Sequence, residues 1–424
     1  MIRPSLVLVT AAAAAAGAVP ARAAAQAETC FVMVDSTGGV GRQVDVGGGF
    51  VRWYQGGGMW AHCRREATRW YADSVAWYQE VERFDMVGSV DFADSTVHLT
   101  ADHASYFLAD ERLEARGNAV LTNLKTGSVM RGPTLSYRRA VPGVRDTTDW
   151  SATGRPTIEY RSEEDTAGAE PYVIVADRVA LRGGSAASAA GVVTIDRSDF
   201  TARSDSATLD TEAGHGTLIG HARVGGGEGS YTLDGRTIAY RLTDRAVTWV
   251  QAQGRADATS VEWRMIADTI QFDVLHNQIQ RGDAWGSDTR PQAISLRQTI
   301  TADSLAIEVP GQQLSEVRAF GTARAVSKID SLDTEGDWVA GDTVIARFDS
   351  TGTGTRALTQ VDALGSARAQ YRIYPADNRF AQPDISYSRG DRITASFVND
   401  TIARVDIVGR SDGVYLEAPR KRPP

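Results

Sequence analysis

Apolar residues recur along this chain at fixed offsets from a short repeated phrase. ADHASYF (101–107), IADTIQF (266–272) and GDTVIARF (341–348) each carry an aspartate followed by apolar residues two and four positions later. Because side chains on a β-strand alternate between its two faces, residues at these offsets lie on one face. The pattern therefore predicts one strand with a single apolar face for each copy of the phrase.

We call the aspartate position the anchor; proline or arginine replaces the aspartate in two copies. The anchors are Asp73, Asp102, Pro133, Asp177, Asp205, Arg236, Asp268, Asp303, Asp342 and Asp391. None of the twenty residues at the two offsets is charged, which predicts stacked strands with a continuous apolar interior. We expect the following residues to face inward: Val75, Trp77, Ala104, Tyr106, Leu135, Tyr137, Val179, Leu181, Ile238, Tyr240, Ile270, Phe272, Leu305, Ile307, Val344 and Ile393, with Ala207, Leu209, Ala346 and Ala395 completing the set.

A second phrase, glycine followed two positions later by a small residue, lies between the anchors. Examples are RGNA (116–119), IGHA (219–222) and RGDA (281–284), and successive anchors lie 28–49 residues apart. Each repeat therefore predicts a rung of two strands, each with its own turn. We expect the glycines to supply the positive φ or bulged geometry of tight corners between strands, which gives both glycine and anchor a structural role.

The repeat and the turn-forming residues between its copies indicate an all-β protein. No long segment has helical periodicity with caps at both ends, whereas strand-forming residues separated by glycine, asparagine and aspartate are abundant. The 424 residues could form several domains, but the repeat favours one elongated body.

The N-terminus has the composition of a secretory signal peptide. Arg3 precedes an apolar stretch over 5–19 and small-x-small sites before residue 28; an uncleaved membrane anchor is the alternative. Removing residues 1–27 leaves 43 basic and 53 acidic residues, a net charge of −10. Export favours a disulfide between the two cysteines, Cys30 and Cys63, with unpaired buried thiols as the alternative.

The candidate chemistry is sparse. The six histidines are not spaced as metal ligands, and no nucleophile elbow, phosphate-binding loop or dinucleotide fingerprint is present. The anchor aspartates recur once in each rung, which is typical of structural residues. The acidic balance argues against a nucleic-acid partner. We therefore expect no catalytic residues, no metal and no cofactor.

The segment LTADHASYFLADERLEARGNAVLTNLKTGSVMRGPTLSY (99–137) resembles the repeat of the OstA-like (LptA-type) family, which carries lipopolysaccharide across the periplasm. The resemblance is strong over 73–137 and weaker over 177–417. It implies an elongated antiparallel β-jellyroll of about ten two-strand rungs, with lipid A acyl chains in a V-shaped slot between two sheets. It also implies edge strands that pair with other OstA/LptA-like components or with a second copy, head to tail.

The chain departs from that family in length, in lacking the large C-terminal barrel of its outer-membrane member, and in lacking a clear N-terminal membrane helix. The expected organisation is a signal peptide (1–27), an N-terminal β cap (28–70), a first jellyroll segment (71–160), continuing jellyroll segments (161–416) and a disordered tail (417–424). The expected location is the periplasm, free or at either membrane.

Physical chemistry supports a lipid-shielding function without the family name. Leaving one acyl chain in water costs on the order of 10 kcal/mol, and an apolar slot removes that cost; a uniform lining would also allow sliding. We therefore expect a non-enzymatic protein that shields the acyl chains of lipopolysaccharide or a related glycolipid. Three alternatives stay open: a scaffold with a filled core, a polysaccharide-binding solenoid, and a β-helix enzyme or adhesin acting on polysaccharide. The aromatic residues expected to face inward are equally consistent with packing in a filled core and with lining a hydrophobic groove.

Overall fold

The computed structural model describes residues 30–419, except 65–66, 142, 144, 162–169, 227–230, 244–245, 277, 296, 329–335, 351–355, 375–381 and 399–400. The expected signal peptide and residues 420–424 of the expected tail lie outside this range. The described residues form 28 β-strands and two short 3-10 turns, Gln79–Val81 and Pro310–Gln312. No helix among them is long and apolar enough to cross a membrane.

The strands are β1 (Val32–Thr37), β2 (Gly41–Gly47), β3 (Phe50–Cys63), β4 (Arg69–Tyr78), β5 (Arg83–Ala93), β6 (Val97–Phe107), β7 (Arg112–Asn123), β8 (Val129–Arg138), β9 (Asp149–Thr153), β10 (Thr157–Tyr160), β11 (Tyr172–Val175), β12 (Arg178–Arg182), β13 (Ala186–Arg197), β14 (Phe200–Asp210), β15 (His215–Gly226), β16 (Tyr231–Thr243), β17 (Ala246–Ser260), β18 (Arg264–Leu275), β19 (Gln278–Trp285), β20 (Gln292–Ile294), β21 (Gln298–Thr301), β22 (Ser304–Glu308), β23 (Glu316–Ser327), β24 (Asp337–Ser350), β25 (Arg356–Ile373), β26 (Asp384–Val398), β27 (Thr401–Val408) and β28 (Asp412–Leu416).

These strands form one hydrogen-bonded row in which most strands pair with the strands before and after them in sequence. All pairs between the described strands are antiparallel, which confirms the all-β, elongated antiparallel architecture. The row continues on both sides of residues 139–148 and 161–171, because β9 pairs with β8 and β12 while β10 pairs with β8 and β11. It also includes β1, β2 and β3, so residues 32–63 share their sheets with the strands that follow.

The row is folded along its length into two facing sheets. Trp70 and Trp77 lie seven residues apart on β4, about 23 Å in a flat strand, and Phe84 pairs with Trp77. The ring of Phe84 nevertheless lies 5.2 Å from that of Trp70 and 4.2 Å from that of Trp77. In each repeat, the residues from an anchor to the next corner glycine belong to one sheet, which we call sheet I. The residues from that glycine to the next anchor belong to the other sheet, which we call sheet II.

The fold line is built from the repeated glycines and anchors. In β5, Gly88 and Ser89 both have positive φ and interrupt the pairing with both neighbouring strands as a bulge. Seven of the ten corner glycines lie inside strands in this way, whereas Gly154, Gly286 and Gly409 follow the ends of strands. The expected positive φ is present at nine of the ten, but most corners do not lie between two strands. Ser89 donates a hydrogen bond of 2.9 Å to Asp73, and Asn118 in the next such strand donates one of 2.9 Å to Asp102.

All ten anchors occupy the space that a side chain on a corner glycine would need. A Cβ atom built on each glycine would lie within 2.8 Å of the facing anchor side chain. The ten glycines are Gly88, Gly117, Gly154, Gly191, Gly220, Gly254, Gly286, Gly321, Gly365 and Gly409. Gly282, expected at a corner from the RGDA phrase, instead lies on the inner face against Phe272 and Ile307.

Charged side chains on the outer face of sheet I bond to one another near the C-terminal end of the row. The carboxylate of Asp362 is only 2% exposed because Arg347 (2.6 Å), Arg392 (2.7 Å) and Thr394 (2.7 Å) converge on it. Burial would raise the pKa of Asp362, but the hydrogen bonds from Thr394, Arg392 and Arg347 outweigh it and hold this pKa well below its usual range.

We predict that replacing Gly117 by alanine destabilises the protein more than replacing Gly127 by alanine. The two glycines have φ of +73° and +72°, so both variants carry the strain of a left-handed alanine, about 1 kcal/mol. Only at Gly117 would the new Cβ lie 2.5 Å from Asp102, and this clash adds about 1–3 kcal/mol. Denaturant unfolding measures the difference, and equal losses of stability in the two variants would contradict an anchor-packed corner.

We predict that Asp362→Asn lowers the free energy of unfolding at pH 7 by about 2 kcal/mol, because charged hydrogen bonds are lost. A depressed folded-state pKa means that the contribution of Asp362 is present above the unfolded pKa of about 4 and is lost as the pH falls through the folded value. The free energy of unfolding should therefore vary less between pH 7 and pH 2 in the variant than in the wild type. The control is Asp412→Asn, which removes an exposed ion pair with Arg389 and should change stability little.

Candidate functional site

The structure places the sixteen residues predicted to line the slot between the two sheets. Thirteen of the sixteen residues belong to one buried apolar cluster, and the other three, Trp77, Leu181 and Tyr240, are half-buried and pack against it. Val75, Ile270 and Leu305, far apart in sequence, therefore line the same interior. Their placement meets the geometric requirement of the slot, while lipid binding itself stays a prediction.

The interior also includes the facing side of sheet II, which the sequence analysis missed. Residues one and three positions before the anchors line this side, for example Leu99 and Ala101, or Met265 and Ala267. The signal was available, since the position directly before the anchor is always small: Ala72, Ala101, Gly132, Ala176, Ser204, Gly235, Ala267, Ala302, Gly341 and Gly390. Small residues are needed there because the two sheets meet at the fold line.

At the N-terminal end, polar contacts between the sheets close the interior. The hydroxyl of Tyr137, on sheet I, donates a hydrogen bond of 2.8 Å to Asp94 in the turn at the outer end of sheet II. Burial and the neighbouring Asp94 raise the pKa of Tyr137, so its hydroxyl stays protonated and remains a donor. Arg139 similarly donates a hydrogen bond of 2.6 Å to Thr68 across the gap between the two sheets.

A disulfide and a buried glutamate reinforce this closure. Cys30 and Cys63 are joined, with their Cα atoms 5.1 Å apart, and tie the start of the described chain to the end of β3. The Glu111 carboxylate, on the sheet I side, accepts hydrogen bonds from the backbone N–H of Cys30 (3.3 Å) and from Arg139 (3.1 Å). We call these contacts, together with Tyr137–Asp94 and Arg139–Thr68, the N-terminal closure.

The middle of the interior is open to solvent along the side away from the fold line. Six inward side chains are half-buried here, three on each sheet. They are Leu181, Leu209 and Tyr240 on sheet I and Tyr172, Phe200 and Tyr231 on sheet II. We call the space between these residues the lateral opening; it spans about 20 Å along the row, given the spacing of adjacent strands.

Closed stretches of the interior flank the lateral opening on both sides. At the same level on sheet I, Tyr137 and Trp150 precede it and Phe272 follows it, whereas Leu181 and Leu209 lie within it. Trp263, at the outer end of sheet II, closes the interior again by packing against Phe272 with ring centroids 6.2 Å apart. Buried aromatic side chains therefore bound the lateral opening on both sides along the row.

Tyr240 forms part of the margin of the lateral opening. Its ring lies over Gly216, where any side chain would overlap it. Burial and the nearby Tyr172 raise the pKa of Tyr240 to about 12. Its hydroxyl therefore remains protonated at neutral pH, and it donates a long hydrogen bond of 3.4 Å to the backbone carbonyl of Thr208.

Trp150 places a polar group at the N-terminal end of the lateral opening. It pairs with Leu181 in the ladder, and its buried indole N–H has no hydrogen-bond partner among the described residues. An unpaired buried donor costs about 1–3 kcal/mol. A ligand with a carbonyl oxygen near Leu181 could satisfy this donor.

Metal chemistry finds no support in the part of the chain that the structure describes, where no group of three histidine, cysteine, aspartate or glutamate side chains could hold an ion. His62, His98 and His221 instead each contact a single aspartate. No protein-family model matches the chain, and no curated protein matches it significantly.

We predict that Tyr137→Phe loosens the N-terminal closure, because it leaves the Asp94 carboxylate without its donor from sheet I. The expected loss of stability is about 2 kcal/mol, with faster hydrogen exchange at Thr96 and Val97, whose amides bond the other oxygen of Asp94. Tyr240→Phe is the matched control, since its bond is long and lies within one sheet; it should cost less than about 0.5 kcal/mol. Equal effects of the two variants would contradict a cross-sheet closure.

Proposed function

We propose that the chain is a non-enzymatic lipid-binding protein of the periplasm that shields the acyl chains of lipopolysaccharide or a related glycolipid between its two sheets. The observation that carries the proposal is the lateral opening, where an otherwise buried apolar interior reaches solvent between two rows of aliphatic and aromatic side chains. The resemblance of residues 99–137 to OstA-like repeats supports the same function.

The chemistry of the lateral opening fits an acylated ligand. Phe200, Tyr231 and Leu209 offer apolar surface, and each methylene transferred from water to such surface contributes about 0.8 kcal/mol. The indole N–H of Trp150 is unpaired but buried, so it would bond the ester or amide carbonyl that joins an acyl chain to its headgroup only if the ring turned toward the opening. Sugars and phosphates of the ligand would stay in solvent outside the opening.

Partners of the same family would pair with the ends of the row. Among the described strands, β1 and β2 pair with β3 alone, and β27 and β28 pair with β26 alone, so each end offers free strand edges. Exposed apolar residues lie on both ends, including Val40 and Val414. Strand addition at these edges would join the chain to other OstA/LptA-like components or to a second copy, head to tail.

A scaffold with a filled core is the second candidate. Complete burial of Ile238, Val344 and Ile393 favours it, because these residues already pack against protein. The antiparallel pairing of the described strands does not support a β-helix, whose coils pair in parallel.

Photocrosslinking separates lipid binding from the scaffold. We predict that benzoylphenylalanine at Tyr240 or Phe200 crosslinks to lipopolysaccharide when the full chain is expressed in a Gram-negative host. The same probe at Trp60, an exposed aromatic residue distant in sequence from the opening, should not. Leu209→Trp should reduce crosslinking from Tyr240 by filling the opening.

Mass spectrometry of protein purified without detergent gives an independent measurement. A bound acylated glycolipid, reduced in the Leu209→Trp variant, is the expected result. Absence of co-purified lipid together with absence of crosslinks from both positions would contradict the proposal and favour the scaffold.

A further inference from the structure

A cleft on the outer face of sheet I has no role in the lateral opening. Strand β22 lies between β19 and β23, and its inward residues Leu305 and Ile307 are buried in the core. Its outward residues Ser304 and Ala306 are small, whereas the flanking strands carry large outward side chains. The result is a cleft of about 360 Å³ that follows β22.

Two aromatic residues form the walls of the cleft near the fold line. Trp285 of β19 and Phe320 of β23 both pair with Ser304, so they flank it across the sheet. They are 40% and 42% exposed, on a face where the neighbouring outward residues Thr269 and Thr343 are polar. The strand spacing separates the backbones of the two walls by about 10 Å, which leaves space for a flat ring over Ser304.

The other end of the cleft is polar and electrically balanced. Asp283 and Arg318 flank Ala306, and Arg281 pairs with Glu308 in the ladder. Arg281 and Asp283 form an ion pair at 3.0 Å. Two arginines and two carboxylates therefore line the cleft, so it favours a neutral ligand with several hydrogen-bonding groups over an anion or a cation.

We propose that this cleft binds a neutral saccharide, such as a segment of a glycan chain. A sugar ring has an apolar C–H face, which packs on the electron-rich face of an aromatic ring, and hydroxyl groups, which hydrogen-bond to carboxylates and guanidinium groups. Trp285 and Phe320 supply aromatic surface for the C–H face of the sugar, while Asp283 and Arg318 supply groups that hydrogen-bond to its hydroxyls. The volume lies near the lower end of the roughly 300–1,000 Å³ typical of ligand sites, which suits a short segment of a chain.

The saccharide site is separate from the proposed lipid site. Trp285 and Phe320 directly precede the corner glycines Gly286 and Gly321, on the outer surface beside the fold line. The lateral opening faces away from the fold line. The two proposed sites therefore lie on different strands, one between the sheets and one on the outer surface.

Saturation-transfer NMR with chitotetraose and maltotetraose tests the proposal on the full mature chain. The expected result is transfer to ring C–H protons of at least one of the two saccharides. Trp285→Ala and Phe320→Ala should each weaken binding roughly tenfold, as expected for removing a central aromatic contact. Ser304→Tyr should also abolish transfer, because it fills the floor of the cleft while the walls remain.

The matched control is Trp60→Ala, which removes an exposed tryptophan from another part of the outer surface and should leave saccharide binding unchanged. Melting temperatures close to that of the wild type would show that the cleft variants are folded. The proposal is overturned if neither saccharide receives saturation, or if the Trp285→Ala/Phe320→Ala double variant keeps wild-type transfer. Lipid crosslinking from Tyr240 should be unaffected in that double variant, so failure of one proposal is distinguishable from failure of the other.

Discussion

Contact between a corner glycine and the anchor of the preceding strand is the constraint on which the rest of this structure depends. An anchor such as Asp102 fills the space beside Gly117, and the residue after the glycine, Asn118, bonds back to the anchor carboxylate. The glycine must lack a side chain and must adopt positive φ at the same time. Because an anchor faces a glycine in each of the ten copies, and nine of these ten glycines adopt positive φ, the described passes bend at the same level and a single row of strands becomes two facing sheets.

The bend determines where each kind of side chain can lie. Residues next to the fold line, such as Ala101 and Ala104, are small or medium-sized and buried throughout the described chain because the sheets converge there. Farther from the fold line, the degree to which side chains cover the gap between the sheets differs along the row. Tyr106 and Phe92 fill it near the N-terminus with rings 5.9 Å apart, whereas Leu181 and Leu209 leave it partly uncovered.

Local pattern in the sequence predicts the strands and one face of the interior, because the offsets of two and four residues survive in every copy. The shared inward orientation of Val75, Ile270 and Val344 follows directly from that pattern. The position of the bend does not, since a glycine at positive φ serves equally in a turn between strands and in a bulge within one. Gly282 illustrates the difficulty: its phrase matches the others, yet Gly286 makes the corner.

Features that depend on residues far apart in sequence were beyond a local pattern. The bond from Tyr137 to Asp94 joins residues 43 positions apart on different sheets. The outer cleft requires Trp285, Ser304 and Phe320 to be neighbours on three strands, which follows only from the register. Alternation alone indicates that Trp285 and Ala284 point to opposite faces, but it does not indicate which residues they meet.

Variation in the lining also bears on how a lipid would be handled. Uniform apolar walls would let an acyl chain slide along the whole row, but the lateral opening lies between two closed stretches. An acyl chain in the lateral opening would meet Trp150 and the Tyr137–Asp94 bond on one side and the Trp263–Phe272 contact on the other. Passage toward the N-terminal end would require the two sheets to separate, with the loss of a charged hydrogen bond of about 1.5–3 kcal/mol. This geometry favours holding a chain in the middle of the row, and it makes the N-terminal closure the contact that a partner at the β1–β3 edge would have to release before the lipid could move on.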